Sequence, residues 1–306
     1  MSLVFLAGER VYKLKRPIEL DFLDFRSVSA RRRSCEAEFE INQKLAPGVY
    51  LEALPITVGA HGLLALGGKG EKIDWVVVMR RLDNSAALDR LIKQHSLQAH
   101  DLGRVCETLA QFYLTQSPVA VTGNRLKALW QEKIGAIRKS LSDPRFALPR
   151  NLIDHPLAAL DTFVAKKWAQ VGTRLANGWI VDGHGDLKPE HIYIGDEVLI
   201  IDRIEFDERL RWCDPFDEIV FLGLECEKLG GQGIAAALIE GLADRLGDRP
   251  SETLLQFYRV YRACMRARLM IEHLRDEAPR TPEKWPRQAL AYLNLANEAL
   301  APSHQS

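Results

Sequence analysis

The segment 182–202, DGHGDLKPEHIYIGDEVLIID, constrains this chain more than any other. It reads as loop, short strand, loop: His184-Gly185-Asp186-Leu187, then His191, then the apolar run 198–201, then Asp202. Asp186 and Asp202 stand sixteen residues apart, each beside apolar sequence, and a hairpin between them would bring both to one spot. That arrangement suits metal-assisted phosphoryl transfer, in which one carboxylate orients an attacking hydroxyl and another holds Mg²⁺.

Hydrophobic periodicity changes along the chain. Residues 3–6 and 11–15 flank Ala7-Gly8-Glu9-Arg10 and predict a β-hairpin. On its second strand Val11, Lys13 and Lys15 share one face. Residues 29–46 predict a helix with Ser29 as N-cap and Pro47-Gly48 as stop. Strands are expected at 49–58 and 62–66, and the run WVVVM at 75–79 predicts a buried one. From about residue 83 the spacing becomes helical, over 85–95, 98–116, 123–142, 155–176, 214–229, 232–246, 251–275 and 282–300, interrupted at 180–202. The expectation is therefore a β-rich small lobe at 1–82 and a helical large lobe at 83–306, with the site at their junction. Pro302 to Ser306 are expected to fray.

Composition narrows the function classes. The 306 residues carry no net formal charge, 47% apolar and 27% charged side chains, so nothing argues for broad binding to nucleic acid or a membrane surface. No apolar run approaches membrane-spanning length, and the start does not read as a signal peptide. Five scattered cysteines (Cys35, Cys106, Cys213, Cys226, Cys264) without a CxxC pair suit reduced thiols in a cytoplasmic protein. GxxxxGK[ST] is absent, and Gly67-Gly68-Lys69-Gly70 reads as a turn. GxGxxG is absent too. The sequence reaches the hairpin of Lys13 almost at once, so a strand ahead of that hairpin is expected to be short or missing.

HGDLKPEH followed by IIDRIEF resembles the catalytic and metal-binding loops of the protein-kinase-like superfamily, in its aminoglycoside phosphotransferase and choline kinase branch. The resemblance implies an α+β, two-lobed protein-kinase-like fold. It implies Asp186 as the residue that orients the substrate hydroxyl, Asp202 as a metal ligand, and His191 as a second one where the family usually has Asn. Imidazole is a softer donor than an amide oxygen, which suits one metal ion rather than two, or Mn²⁺ beside Mg²⁺. His184 and Asp217 are implied as structural supports. Asp214, before Pro215, reads as a helix N-cap. Lys13, with Lys15 as the alternative, would grip the ATP phosphates. Glu38 would orient that lysine, with Glu36 and Glu40 as fallbacks, since one helix face cannot present all three. WVVVMRRL resembles the strand entering the hinge, where the backbone of Met79 to Arg81 would meet adenine. The wording VYKLKRPIELDFLDF, RRRSCEAEFEINQKLAPGVYLEALPI and DGHGDLKPEH is also similar to a bacterial group of uncharacterised phosphotransferase-like proteins, some of them fused to a P-loop kinase domain.

Taken singly, these residues have plainer explanations: a turn-capping Asp, a solvated strand lysine, a packed histidine. Their order along the chain carries the argument. The function implied is ATP- and Mg²⁺-dependent phosphorylation of a hydroxyl on a small molecule. The alternatives are a catalytically weak, pseudokinase-like nucleotide-binding or regulatory module, a kinase acting on a protein acceptor or transferring a nucleotidyl group, and a metallohydrolase using His184, Asp186, His191 and Asp202. Arg259, Arg262 and Arg266, at i, i+3 and i+7, share a helix face. That face either receives an anionic acceptor or is a solvated one paired with Glu272 or Asp276.

Overall fold

A computed structural model of the chain describes residues 2–20, 23–276, 279 and 281–301; the tail 302–306, expected to fray, lies outside them. The fold is α+β and divides into two compact units. The first comprises Met1–Gln116, Asp182–Trp212 and Leu229–Gln232; the second comprises Ser117–Val181, Cys213–Lys228 and Gly233–Ser306.

The first unit is built on an antiparallel sheet. Its strands are β1 (Ser2–Ala7), β2 (Arg10–Lys15), β5 (Tyr50–Val58), β6 (Leu64–Leu66) and β7 (Glu71–Arg80), in the order β1-β2-β7-β5-β6. A two-residue ladder, β3 (Glu19–Leu20) with β4 (Leu23–Asp24), follows β2. The central β7 is buried continuously from Trp75 to Met79, as its unbroken apolar run requires of a strand covered on both faces. Cys35, Ala46, Val49, Tyr50, Trp75, Val77 and Met79 form the core between this sheet and helix α1 (Val28–Asn42).

The N-cap of α1 is Ser27, not Ser29. The Ser27 hydroxyl accepts from the Ala30 N–H at 3.1 Å, while the Ser29 hydroxyl pairs with that of Ser27. The helix also stops at Asn42, short of the expected 46. Gln43 turns to donate to the Tyr50 carbonyl, and Gly48, at φ +70°, completes the reversal into β5. Helices α2 (Leu88–Lys93) and α3 (Ala99–Leu114) follow, and the unit is completed by the antiparallel hairpin Ile192–Ile194 with Val198–Ile200.

The second unit is helical: α4 (Gly123–Leu141), α5 (Arg150–Lys166), α6 (Ala169–Ala176), α7 (Pro215–Lys228), α8 (Ile234–Leu246), α9 (Glu252–Glu272) and α10 (Lys284–Glu298). Helix α7 is buried from Pro215 to Cys226, its apolar residues and three carboxylates alike, so it runs through the core. Gly223 lets α8 approach it, because a Cβ there would lie 2.7 Å from that of Ala235. Buried carboxylates need partners, and α9 supplies them for Asp217 and Glu225. Arg262 binds Asp217 through two hydrogen bonds of 2.7 and 2.6 Å, Arg266 binds Glu225, and Arg259 binds Glu227. The arginine face is therefore neither an open anion site nor a face paired with Glu272 or Asp276; Glu272 instead takes Arg268.

The expected helix 155–176 is two helices, and α5 begins earlier and runs through Pro156. A proline inside a helix leaves the carbonyl four residues back without its donor. Here that is the Leu152 carbonyl, and the Asn297 side-chain amide on α10 donates to it at 3.0 Å. Asp214 caps α7 as expected, accepting from the Phe216 N–H at 2.9 Å while Arg174 and the Tyr258 hydroxyl also bind its carboxylate.

Candidate active site

Every residue of the constellation in this section belongs to the first unit, except Asp217. Alternation along β2 sends Lys13 and Lys15 to the same side, and helical phase sends Glu38, alone of the three candidate glutamates, inward to meet them. Glu38 is fully buried, whereas Glu40 is exposed and Glu36 pairs with Arg32 across the helix surface. Both lysines reach Glu38. Lys13 Nζ lies 2.7 Å from Oε1, and Lys15 Nζ is ion-paired with Oε2. Each lysine has one further partner: Asp202 for Lys13, and Glu205 for Lys15. Burial would lower the pKa of Lys13, but Glu38 and Asp202 outweigh it and hold the ammonium well above its usual range. Lys13 is thus a fixed cation.

Asp202 occupies the left-handed backbone region at φ +67°, which few non-glycine residues adopt and which Asp tolerates better than most. Its N–H donates to the Tyr50 hydroxyl at 2.9 Å, which pins the strained residue to β5. Burial would raise the Asp202 carboxyl, but Lys13 overcomes it and keeps the group ionised well below the usual carboxylate range.

The loop preceding the hairpin is ordered by its own histidines. Gly185 sits at φ +90°, and a Cβ there would crowd Ile204 at 3.0 Å, so only glycine fits between His184 and Asp186. His184 is fully buried and uses both ring nitrogens: Nε2 donates to the Ile201 carbonyl at 2.9 Å, and Nδ1 accepts from the Asp186 N–H at 3.3 Å. It ties the Asp186 loop to the residue before Asp202, and neither nitrogen is left for a metal. The four-residue metallohydrolase arrangement therefore does not assemble. His191 Nδ1 donates to the Asp186 carbonyl at 3.0 Å, which leaves Nε2 with its lone pair in the neutral tautomer. That nitrogen faces Asp202 Oδ2 at 3.6 Å. The ordering of the second nitrogen by a backbone carbonyl is what a metal-ligating histidine requires.

Asp186 itself is held by Lys188, whose ammonium lies 2.9 Å from Oδ2. Burial would raise its pKa, but Lys188 prevails and keeps it below the ordinary range, so Asp186 is an anion at neutral pH. Beside Lys13 and Asp202 opens a cavity of about 420 Å³. Val4, Leu6, Val11 and Ile201 give it apolar walls, and the segment from Met79 to Asn84 forms one side. Within that segment the Arg81 N–H is taken by the Glu9 carbonyl at 2.8 Å. Asp217 lies in the second unit, bound to Arg262.

An Asp202–His191 pair is a two-ligand set, suited to a divalent ion whose remaining positions go to phosphate oxygens and water. Among the described residues no group of three or more His, Cys, Asp or Glu side chains is placed to hold a metal by itself. Sequence reasoning did not single out Tyr50, Ser34, Glu205 or Lys188. Of these, only Lys188 and Glu205 carried a signal, as charges two and three residues beyond the two key aspartates.

No family model matches the chain. It is 32% identical over 278 residues to uncharacterised proteins of Mycobacterium bovis and Mycobacterium tuberculosis, a match covering 88% of this chain and 53% of theirs, so it spans about half the length of the curated relatives it matches. Solved structures share its fold. An aminoglycoside phosphotransferase in complex with GDP and kanamycin aligns over 97% of this chain and 90% of its own, with a TM-score of 0.61 at 16% identity. A choline/ethanolamine kinase family protein from Mesorhizobium loti aligns over 99% and 86%, with a TM-score of 0.56 at 15% identity. The AMP-bound spectinomycin phosphotransferase aligns over 96% and 88%, with a TM-score of 0.56 at 13% identity. Among the described residues no helix is long and apolar enough to cross a membrane.

Proposed function

We propose that this chain, with the fold that aminoglycoside phosphotransferases and choline kinases share, transfers the γ-phosphoryl group of ATP to a hydroxyl of a small molecule. The observation that carries this is the convergence of Lys13, Glu38, Asp202 and His191 at the end of an apolar cavity.

The apolar walls and the Met79–Asn84 side of the cavity would take the adenine, and Lys13 the α- and β-phosphates. Glu38 holds Lys13 extended from β2, so its ammonium is placed before any phosphate arrives. Asp202 and the free Nε2 of His191 would hold Mg²⁺ or Mn²⁺, which when bound stabilises charge on the transferring phosphoryl oxygens. Asp186, ionised and restrained by Lys188, accepts the hydrogen bond of the acceptor hydroxyl and aims its oxygen. Because the transition state is loose, aiming the hydroxyl matters more than the basicity of Asp186, and its low pKa is compatible with the role.

The test is metal-dependent nucleotide binding, followed by turnover against a panel of hydroxylated metabolites and γ-labelled ATP. Wild type should be stabilised against heat by ATP only with Mg²⁺ or Mn²⁺, and Asp202→Ala should lose that response. Asp186→Asn should keep it and lose labelled product by at least about a hundredfold, the scale at which a positioned acid–base group contributes. ATP binding without metal dependence, or full turnover by Asp186→Asn, would overturn the assignment and favour a binding module.

A further inference from the structure

Lys13 already directs its ammonium at two carboxylates, Glu38 and Asp202, and a nucleotide phosphate would draw on the same group. It is shared between Glu38 and Asp202, and Asp202 is the carboxylate required by a metal. A metal–nucleotide complex would compete for both sides of that lysine–aspartate contact. Glu38, fully buried, would then depend on a lysine that phosphates also attract. A buried carboxylate that loses its counter-charge is costly.

A second cation lies at the same carboxylate. Lys15 is only 3% exposed, faces Glu38 Oε2, and has a private counter-ion in Glu205, itself anchored by the Ser34 hydroxyl at 2.8 Å. The full cluster holds two cations against three anions. If Asp202 turns to a metal, two lysines and two glutamates remain in balance. The buried position of Lys15 keeps it from the cavity, whose lining includes Lys13 and Asp202 but not Lys15. From β2 it also reaches Glu38 on α1 and Glu205 beyond Asp202, so it links three separate pieces of backbone.

Building on the phosphotransferase reading, we propose that Lys15, Glu205 and Ser34 form a positioning set that holds Glu38 in place, so that Lys13 can exchange Asp202 for nucleotide phosphate. Lys15 does not itself touch phosphate. Glu205 keeps Lys15 on Glu38 Oε2; without it Lys15 would compete with Lys13 for Oε1.

The experiment is a double-mutant cycle on Mg·ATP affinity, measured by displacement of a fluorescent ATP analogue well below the melting temperature. It uses wild type, Glu205→Gln, Lys13→Met and the double variant. Ser34→Ala, which removes only a hydroxyl from Glu205, serves as a milder probe if Glu205→Gln does not fold. Glu205→Gln should weaken Mg·ATP about tenfold, and in the Lys13→Met background the same change should have less than a twofold effect. Ser34→Ala should follow in the same direction by two- to threefold. If wild type itself shows no metal-dependent ATP binding, the function fails and this inference with it. If wild type binds but Glu205→Gln and Ser34→Ala bind equally well, or if Glu205→Gln is as harmful without Lys13 as with it, only the positioning role is overturned.

Discussion

Replacing Glu38 with Gln tests the centre of the site with almost no change of shape. Glu38 is fully buried, accepts from the Lys13 ammonium at 2.7 Å on one oxygen, and is ion-paired with Lys15 on the other. Gln presents one oxygen and one NH₂, so one lysine keeps an acceptor and the other meets a donor. A hydrogen bond to a charged group contributes about 1.5–3 kcal/mol, and breaking a buried ion pair costs about 3–5 kcal/mol when the remaining charge is stranded. Neither lysine is stranded here, because Asp202 stays with Lys13 and Glu205 with Lys15. The expected loss is therefore about 2–4 kcal/mol, below the full penalty of a broken buried pair. Urea denaturation followed by tryptophan fluorescence would measure it, Trp75 lying in the core beside α1. Glu40→Gln, on the exposed side of the same helix, should stay within about 0.5 kcal/mol. A Glu38→Gln protein as stable as Glu40→Gln would refute the two-lysine fork, whatever its activity.

Two further predictions concern packing and thiol chemistry. Asn297→Ala should cost about 1–3 kcal/mol by leaving the Leu152 carbonyl without a donor, and much less in a Pro156→Ala background, where residue 156 regains its own N–H; equal costs in both backgrounds would show that Asn297 is not replacing the proline's missing donor. All five cysteines are buried, and burial pushes the Cys35 and Cys264 thiols up to about 12, so below that pH they stay protonated and unreactive. Ellman's reagent at pH 8 should find none of the five in native protein and all of them after denaturation, and rapid labelling without denaturant would contradict the burial.

The parts of the site that were legible in the sequence are those where local pattern and chemistry coincide. Alternation put Lys13 and Lys15 on one face, helical phase allowed only one of Glu36, Glu38 and Glu40 to point inward, and the hairpin between Asp186 and Asp202 was set by its turn and its apolar run. Which glutamate pointed inward was settled by the burial of α1 against the sheet, which periodicity alone ranks poorly in a helix as charged as this one. Tyr50 was invisible because its partner, the Asp202 N–H, lies 152 residues away and a lone tyrosine opening a strand carries no motif. The arginines of α9 were correctly placed on one face, but their meaning depended on carboxylates of α7 that a solvent-facing interpretation does not anticipate. The early start of α5 was missed for a similar reason: Pro156 is tolerated inside it because a side chain from α10 serves the Leu152 carbonyl.

The first unit is assembled from separated stretches, and this has a consequence for how the protein is made. Lys13 and Asp202 are 189 residues apart, and the sheet's own residues leave the ribosome long before the hairpin that completes their unit. At about 5–20 residues per second, roughly 10–40 s pass between the synthesis of the two partners. During that interval β2 and α1 carry two lysines and a glutamate on a surface that is not yet closed, and the pairing they await has the long loop-closure that slows folding. The first unit of the nascent chain should therefore remain protease-sensitive until residue 232 has emerged, then gain protection in a single late step.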